Sequence, residues 1–137
     1  MITIKNLNKF YGRQHVLHDI NLQLEQGQCI GFVGPNGCGK TTLMKCILGL
    51  ATPQSGEVLV DGMNVQDNPS YRRHIGFMPQ NSCFPENMSV GETFRTIRDV
   101  RKDSDNLDKE LYDAFEIEAI ASKKTKTLSG GTSQKVN

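Results

Sequence analysis

No apolar run in this chain approaches the ~20 residues that a membrane-spanning helix needs. The N-terminus, Met1-Ile2-Thr3-Ile4-Lys5-Asn6, has no charged segment leading into a long apolar one. Both absences lead us to expect a soluble, cytosolic chain whose membrane connections, if any, run through a protein partner. Excess charge is missing as well. Sixteen Lys and Arg against 15 Asp and Glu leave +1, which excludes the basic field that draws nucleic acid or anionic lipid. No C-x-x-C pair occurs among Cys29, Cys38, Cys46 and Cys83, so neither a zinc cluster nor a disulfide framework is indicated. The four read as small buried apolar residues. Internal repeats and low-complexity tracts are absent, and 23% charged residues is too few for a disordered chain. At 137 residues the chain is one domain's worth.

What is present is glycine, and it is concentrated where it matters. Gly34-Pro35-Asn36-Gly37-Cys38-Gly39-Lys40-Thr41-Thr42 fits the pattern G-x-x-x-x-G-K-[ST]. Glycine lets the backbone take conformations closed to residues with a Cβ, so that several N–H groups turn toward one anion. Lys40 adds a point charge for the outer phosphates of a nucleoside triphosphate. A helix beginning near Gly39 puts its positive end on the same anion, and the Thr41 hydroxyl suits a magnesium ion that prefers oxygen ligands. The context that the motif requires accompanies it. Cys29-Ile30-Gly31-Phe32-Val33 is continuously apolar, like a parallel strand covered on both faces. Leu43, Met44, Ile47 and Leu48 recur at helical spacing, with Gly49 placed to stop the helix.

Elsewhere, Ile2 to Leu7 and then Ile20, Leu22 and Leu24 alternate like half-buried strands of an antiparallel edge region. Glu57 to Asp61 reads as a short strand ending in an Asp61-Gly62 turn, and Ile75 to Met78 as another stopping at Pro79-Gln80. Ser89-x-x-Glu92 is a capping box opening a helix with Val90, Phe94 and Ile97 on one face. Asp105 or Asn106 caps the next, which aligns Leu107, Leu111, Ala114 and Phe115.

Four features stand in order: Tyr11 in Phe10-Tyr11-Gly12, the phosphate loop, Gln80 in Phe77-Met78-Pro79-Gln80, and Leu128-Ser129-Gly130-Gly131-Thr132-Ser133-Gln134. Together they resemble the nucleotide-binding domain of ATP-binding cassette (ABC) ATPases, over the whole chain. The resemblance implies an α/β fold of the P-loop NTPase class, a mixed sheet with an antiparallel β subdomain and a helical insert. It divides the chain into residues 1–80, the antiparallel region plus phosphate-loop core, an insert over 81–127, and the signature with its helix start over 128–137. It also implies roles. Tyr11 matches the aromatic that stacks on adenine, the alternative being a Tyr that merely closes a turn. Gln80 matches the glutamine that senses magnesium and the γ-phosphate, making Lys40 and Gln80 the catalytic candidates and Thr41 and Gln80 the metal candidates. Ser129, Gly130 and Gly131 match the signature that meets ATP on the opposite subunit. Thr132 departs from the Gln common at that position. The implied ligands are ATP and Mg2+; the implied partners are a second nucleotide-binding subunit and a transmembrane permease, with no nucleic acid, at the inner face of the cell membrane.

In the family, the signature helix is followed by an apolar strand ending in Asp-Glu and later by a switch histidine. This sequence ends at Asn137, and His15, His18 and His74 all precede the signature. Val58-Leu59-Val60-Asp61 imitates that strand but precedes Gln80 and is followed by Gly62, so it matches an antiparallel segment. The expectation is a partial domain, truncated before the Asp-Glu strand, that binds nucleotide, hydrolyses it poorly, and leaves an apolar sheet edge open. Phe84, Pro85, Met88 and Val90 form either a permease contact or packing within the insert. The residues around Gln80 resemble exporter ATPases, including those linked to copper-enzyme maturation. Two other classes stay open: a soluble ABC ATPase acting on ribosomes or DNA, and a nucleotide-dependent binding module without turnover.

Overall fold

The computed structural model describes residues 1–80, 84–101 and 109–136, in two compact units, Met1–Ile75 and Gly76–Asn137.

In the first unit, alternating apolar residues make two long strands, β1 (Ile2–Tyr11) and β2 (Gln14–Leu24). They form a hairpin in which Tyr11 faces Gln14 across a Gly12-Arg13 tip. β3 (Ser55–Val60) pairs with the other edge of β1, and β4 (Met63–Asn64) follows through the expected Asp61-Gly62 turn, giving an antiparallel sheet ordered β2-β1-β3-β4. Asp61 accepts from the N-terminal ammonium at 2.6 Å, so its carboxylate belongs to the antiparallel sheet, as its position before Gln80 implied. Helix α1 (Lys40–Ile47) lays Leu43, Cys46 and Ile47 against Ile4, Leu7, Leu17, Val58 and Val60 of the sheet, and Tyr71 completes this core.

Four expectations are corrected here. Met44 is exposed, and Cys46 takes the inward position on α1. Of the cysteines, Cys46 alone of the three described is buried; Cys29 and Cys38 are exposed, and Cys83 lies outside the described residues. Cys29 to Val33 belongs to no strand, with Phe32 half-buried against the core and Val33 98% exposed. A doubly covered parallel strand needs neighbours on both sides, and among the described residues none pairs with it. Ile75 to Met78 likewise carries no ladder.

The end of α1 is closed by tertiary contacts. Gly49 takes φ +64°, and a Cβ there would lie 2.6 Å from both the Tyr71 hydroxyl and Arg72 Nη2. Arg72 uses that space, donating to Leu48 O at 3.2 Å and Gly49 O at 3.0 Å and so satisfying carbonyls that a helix end leaves unpaired.

In the second unit, α2 (Val90–Arg101) starts at the expected capping box: Ser89 N donates to Glu92 Oε2 at 2.6 Å and Glu92 N to Ser89 Oγ at 3.2 Å. The Glu92 carboxyl is held below its ordinary value, first by the Ser89 backbone N–H, then by the Ser89 hydroxyl and the charge of Lys124. α3 (Lys109–Ala114), α4 (Ile117–Ile120) and α5 (Gly130–Val136) follow. Their core is Val90, Ile117 and Val136, with Phe84, Phe94, Tyr112, Ile120 and Leu128 packed on it. Val90 and Phe84 therefore serve the insert's own packing, while Pro85 is exposed. Ile97 is exposed, and Thr93 is buried on α2 in its place, its hydroxyl donating to Ser89 O at 2.9 Å. The capping candidates Asp105 and Asn106, with Leu107, lie outside the described residues.

Candidate functional site

The chain leaves the exposed Cys29–Val33 segment and turns through Gly34 to Gly39 into α1. Gly39 is the N-cap at φ +98°, where a side chain is strained, and a Cβ there would lie 2.9 Å from Leu17 Cδ2 and 3.0 Å from Val16 O. Only glycine lets the start of the helix approach β2 so closely. No side chain caps this N-terminus, and no acidic residue occupies its first turn. The contrast with α2 is direct: there Ser89 and Glu92 cap the helix start, while α1 keeps its leading N–H groups and its positive dipole end for something else.

The Lys40 ammonium lies inside the loop. Its Nζ donates to Gly34 O at 2.7 Å and Pro35 O at 2.8 Å, with Cys38 Sγ at 3.7 Å. The loop itself is tied by Cys38 N to Pro35 O at 3.3 Å. Pro35, Asn36 and Thr41 are exposed, and Thr42 is half-buried in the first turn of α1. A cation surrounded by backbone dipoles and free helix N–H groups is suited to a polyanion.

Tyr11 closes β1 and is 48% exposed. One face of that ring has the Lys9 ammonium 4.9 Å from its centroid. His15, farther along the hairpin, stacks on Phe10 and His18 and bonds Asn8 Oδ1 at 2.9 Å, a structural use that matches its place before the signature.

Gln80 and the signature belong to the second unit, and Tyr11 and the phosphate loop to the first. Gln80 is exposed. Ser129 stands at the start of α5, where its carbonyl accepts from Ser133 N at 2.8 Å and its hydroxyl from Thr132 N at 3.3 Å. The two hydroxyls of Ser129 and Thr132 share a further bond of 2.8 Å. Thr132, the position at which the chain departs from the usual pattern, therefore fixes the Ser129 hydroxyl, and Gly130 and Gly131 remain exposed beside it. Sequence reading did not find Lys9 or Arg72 as partners, because each meets a carbonyl far along the chain, and it read Thr132 only as a departure from the family pattern.

The family model for the ABC transporter matches residues 17–137. The chain belongs to this family. Among its relatives, the sulfate/thiosulfate import ATP-binding protein CysA of Pectobacterium atrosepticum is 31% identical over 98% of the chain and 43% of the relative. CysA of Caulobacter vibrioides is 34% identical over 98% and 42%. The chain thus spans less than half the length of these relatives. Among solved structures, an ATP-binding subunit of an ABC transporter superposes with TM-score 0.87 at 28% identity, over 99% of the chain and 59% of that subunit. An ATP-binding cassette solved as a dimer in a post-hydrolysis state with ADP and Pi gives TM-score 0.82 at 26% identity, over 99% and 66%. These ABC structures carry the P-loop NTPase fold, so the α/β expectation holds and the antiparallel sheet with its following helices is this family's subdomain arrangement. None of the described helices is long and apolar enough to cross a membrane.

Proposed function

We propose that this protein is the ATP-binding and ATP-hydrolysing subunit of an ABC transporter, working at the inner face of the cell membrane through a transmembrane permease. The observation that carries the proposal is the start of α1: an uncapped, acid-free helix N-terminus behind a glycine loop that already holds the Lys40 ammonium. The backbone N–H groups of Gly34, Asn36, Gly37, Cys38 and Gly39 wrap the phosphates, with Pro35 shaping the loop between them, Lys40 neutralises the outer ones, and Thr41 and Thr42 add hydroxyls. Tyr11 stacks on adenine with its open ring face. The likeness to transport ATP-binding subunits and to dimeric cassettes supports a head-to-tail pair, in which Ser129, Gly130 and Gly131 close on the ATP of the second subunit. In this reading the insert over residues 81–127 moves with Gln80, and 128–137 presents the signature.

Magnesium fits the donor set. Magnesium prefers oxygen ligands and readily shares phosphate oxygens and water. By the family pattern Thr41 and Gln80 are its candidate protein ligands, and the ion would supply charge for the developing phosphoryl oxygens. In this reading the 137 residues supply the nucleotide-holding part of the family pattern, so nucleotide binding is the activity to test on them.

Equilibrium binding of Mg-ATP and Mg-AMP, with phosphate release measured in parallel, tests the proposal. It expects ATP to bind far more tightly than AMP. Equal affinity for the two contradicts it, because the loop would then not be reading the outer phosphates.

A further inference from the structure

A lysine is rarely buried without a carboxylate beside it, yet Lys9 is only 8% exposed and forms none of the ion pairs among the described residues. Its ammonium donates to Thr52 O at 2.7 Å and sits 4.9 Å from the centroid of the Tyr11 ring. Residues 9 and 11 of one strand project to the same face, which places cation and ring together. A single carbonyl leaves much of an ammonium's charge unanswered, and the negative face of an aromatic ring is the remaining partner. The cation also reaches toward the core. Burial raises the Cys46 thiol's pKa, and Lys9 opposes that rise.

Thr52 is itself held in place. Two residues on, the Gln54 side chain accepts from Phe10 N at 2.8 Å and donates to Phe10 O at 3.3 Å, and Gln54 N donates to Asn8 O at 2.9 Å. The segment that follows α1 is thus stitched to the part of β1 that carries Lys9 and Tyr11.

We propose that Lys9 is the positioning residue for the base end of the nucleotide site: anchored on the Thr52 carbonyl, it occupies one face of Tyr11 and leaves the other for the purine. This rests on the assignment of Tyr11 to adenine made above. A fixed ring loses no freedom on stacking, so the benefit goes to nucleotides alone and not to an anion that touches only the phosphate loop.

The test compares ATP with inorganic tripolyphosphate, by calorimetry, on the 137-residue chain and on Lys9→Met, Lys9→Gln and Lys9→Arg. Lys9→Met and Lys9→Gln are expected to weaken ATP roughly 3- to 30-fold while tripolyphosphate stays within about twofold, and Lys9→Arg to recover most of the loss. Should Lys9→Met not fold, Lys9→Gln, which keeps a donor for the Thr52 carbonyl, carries the same comparison. Unchanged ATP affinity, or equal losses for both ligands, overturns the role of Lys9 and leaves the phosphate loop assignment standing. A wild-type chain that binds neither ligand overturns both.

Discussion

The Lys40 ammonium donates to the Gly34 carbonyl oxygen at 2.7 Å, reaching back across the loop that it follows in sequence. Pro35 O is the second acceptor, so the ammonium is held within the loop. A carbonyl is a neutral acceptor, and a phosphate oxygen is an ionised one whose hydrogen bond to an ammonium is roughly twice as strong. On the function proposed above, an incoming triphosphate would displace these contacts, the loop having kept the ammonium close by.

Gly39→Ala strains the loop twice, by putting a Cβ at φ +98° and by pressing it on Leu17 and the Val16 carbonyl. We expect a loss of about 1–3 kcal/mol in urea unfolding. A change within experimental error would mean that β2 yields to the helix start, and that the close approach is not needed.

Arg72→Met removes the two donors that close the end of α1 on Leu48 O and Gly49 O. The expected cost is about 1–2 kcal/mol, read from urea melts of the first unit. Met keeps much of the side-chain length, so an unaltered midpoint would show that water serves these carbonyls equally well.

Glu92 gives the second unit a pH dependence of known sign. Its folded carboxyl titrates below the ordinary 4.5 that it regains on unfolding, so its contribution is complete above that value. The contribution is lost as pH falls through the depressed folded value. Urea melts of wild type and Glu92→Gln at pH 7 and pH 3 should show a wild-type advantage at the higher pH that shrinks at the lower one. A gap of the same size at both pH values rules out the carboxylate as its source.

Val33, almost fully exposed on a segment without a ladder, makes self-association the expected behaviour as concentration rises. Val33→Ser should shift a size-exclusion profile toward monomer. A wild-type chain that elutes as a stable dilute monomer contradicts this.

Features written in a few adjacent residues were legible in advance. The phosphate loop, the helix start at Gly39, the Asp61-Gly62 turn and the Ser89–Glu92 box each depend on local backbone chemistry, and each stands where the pattern put it. Which side chain faces inward was less legible. Met44 and Ile97 have the right spacing but lie on the open side of their helices, and Cys46 and Thr93 are buried instead. The Cys29–Val33 run failed for a different reason: its apolar pattern specifies burial between neighbours, and a ladder needs partners that no stretch of five residues can supply. Lys9 and Arg72 were invisible because a lysine or an arginine signals nothing until the distant carbonyl that it meets is known, and Thr132 was noted only as a departure from the family pattern, not as the partner of Ser129. Gln80 and the signature are reached by single-chain sequence reasoning only through the family pattern, because a Gln or a Ser-Gly-Gly carries no local signal of its own.

The most direct measurement is an isothermal titration of Mg-ATP into the folded wild-type chain and into Lys40→Ala. The account predicts saturable heat for wild type and an affinity lowered by about 10- to 100-fold or more in the variant, the scale of a lost charge-assisted contact. Absence of heat with wild type, or the same isotherm with Lys40→Ala, would contradict it.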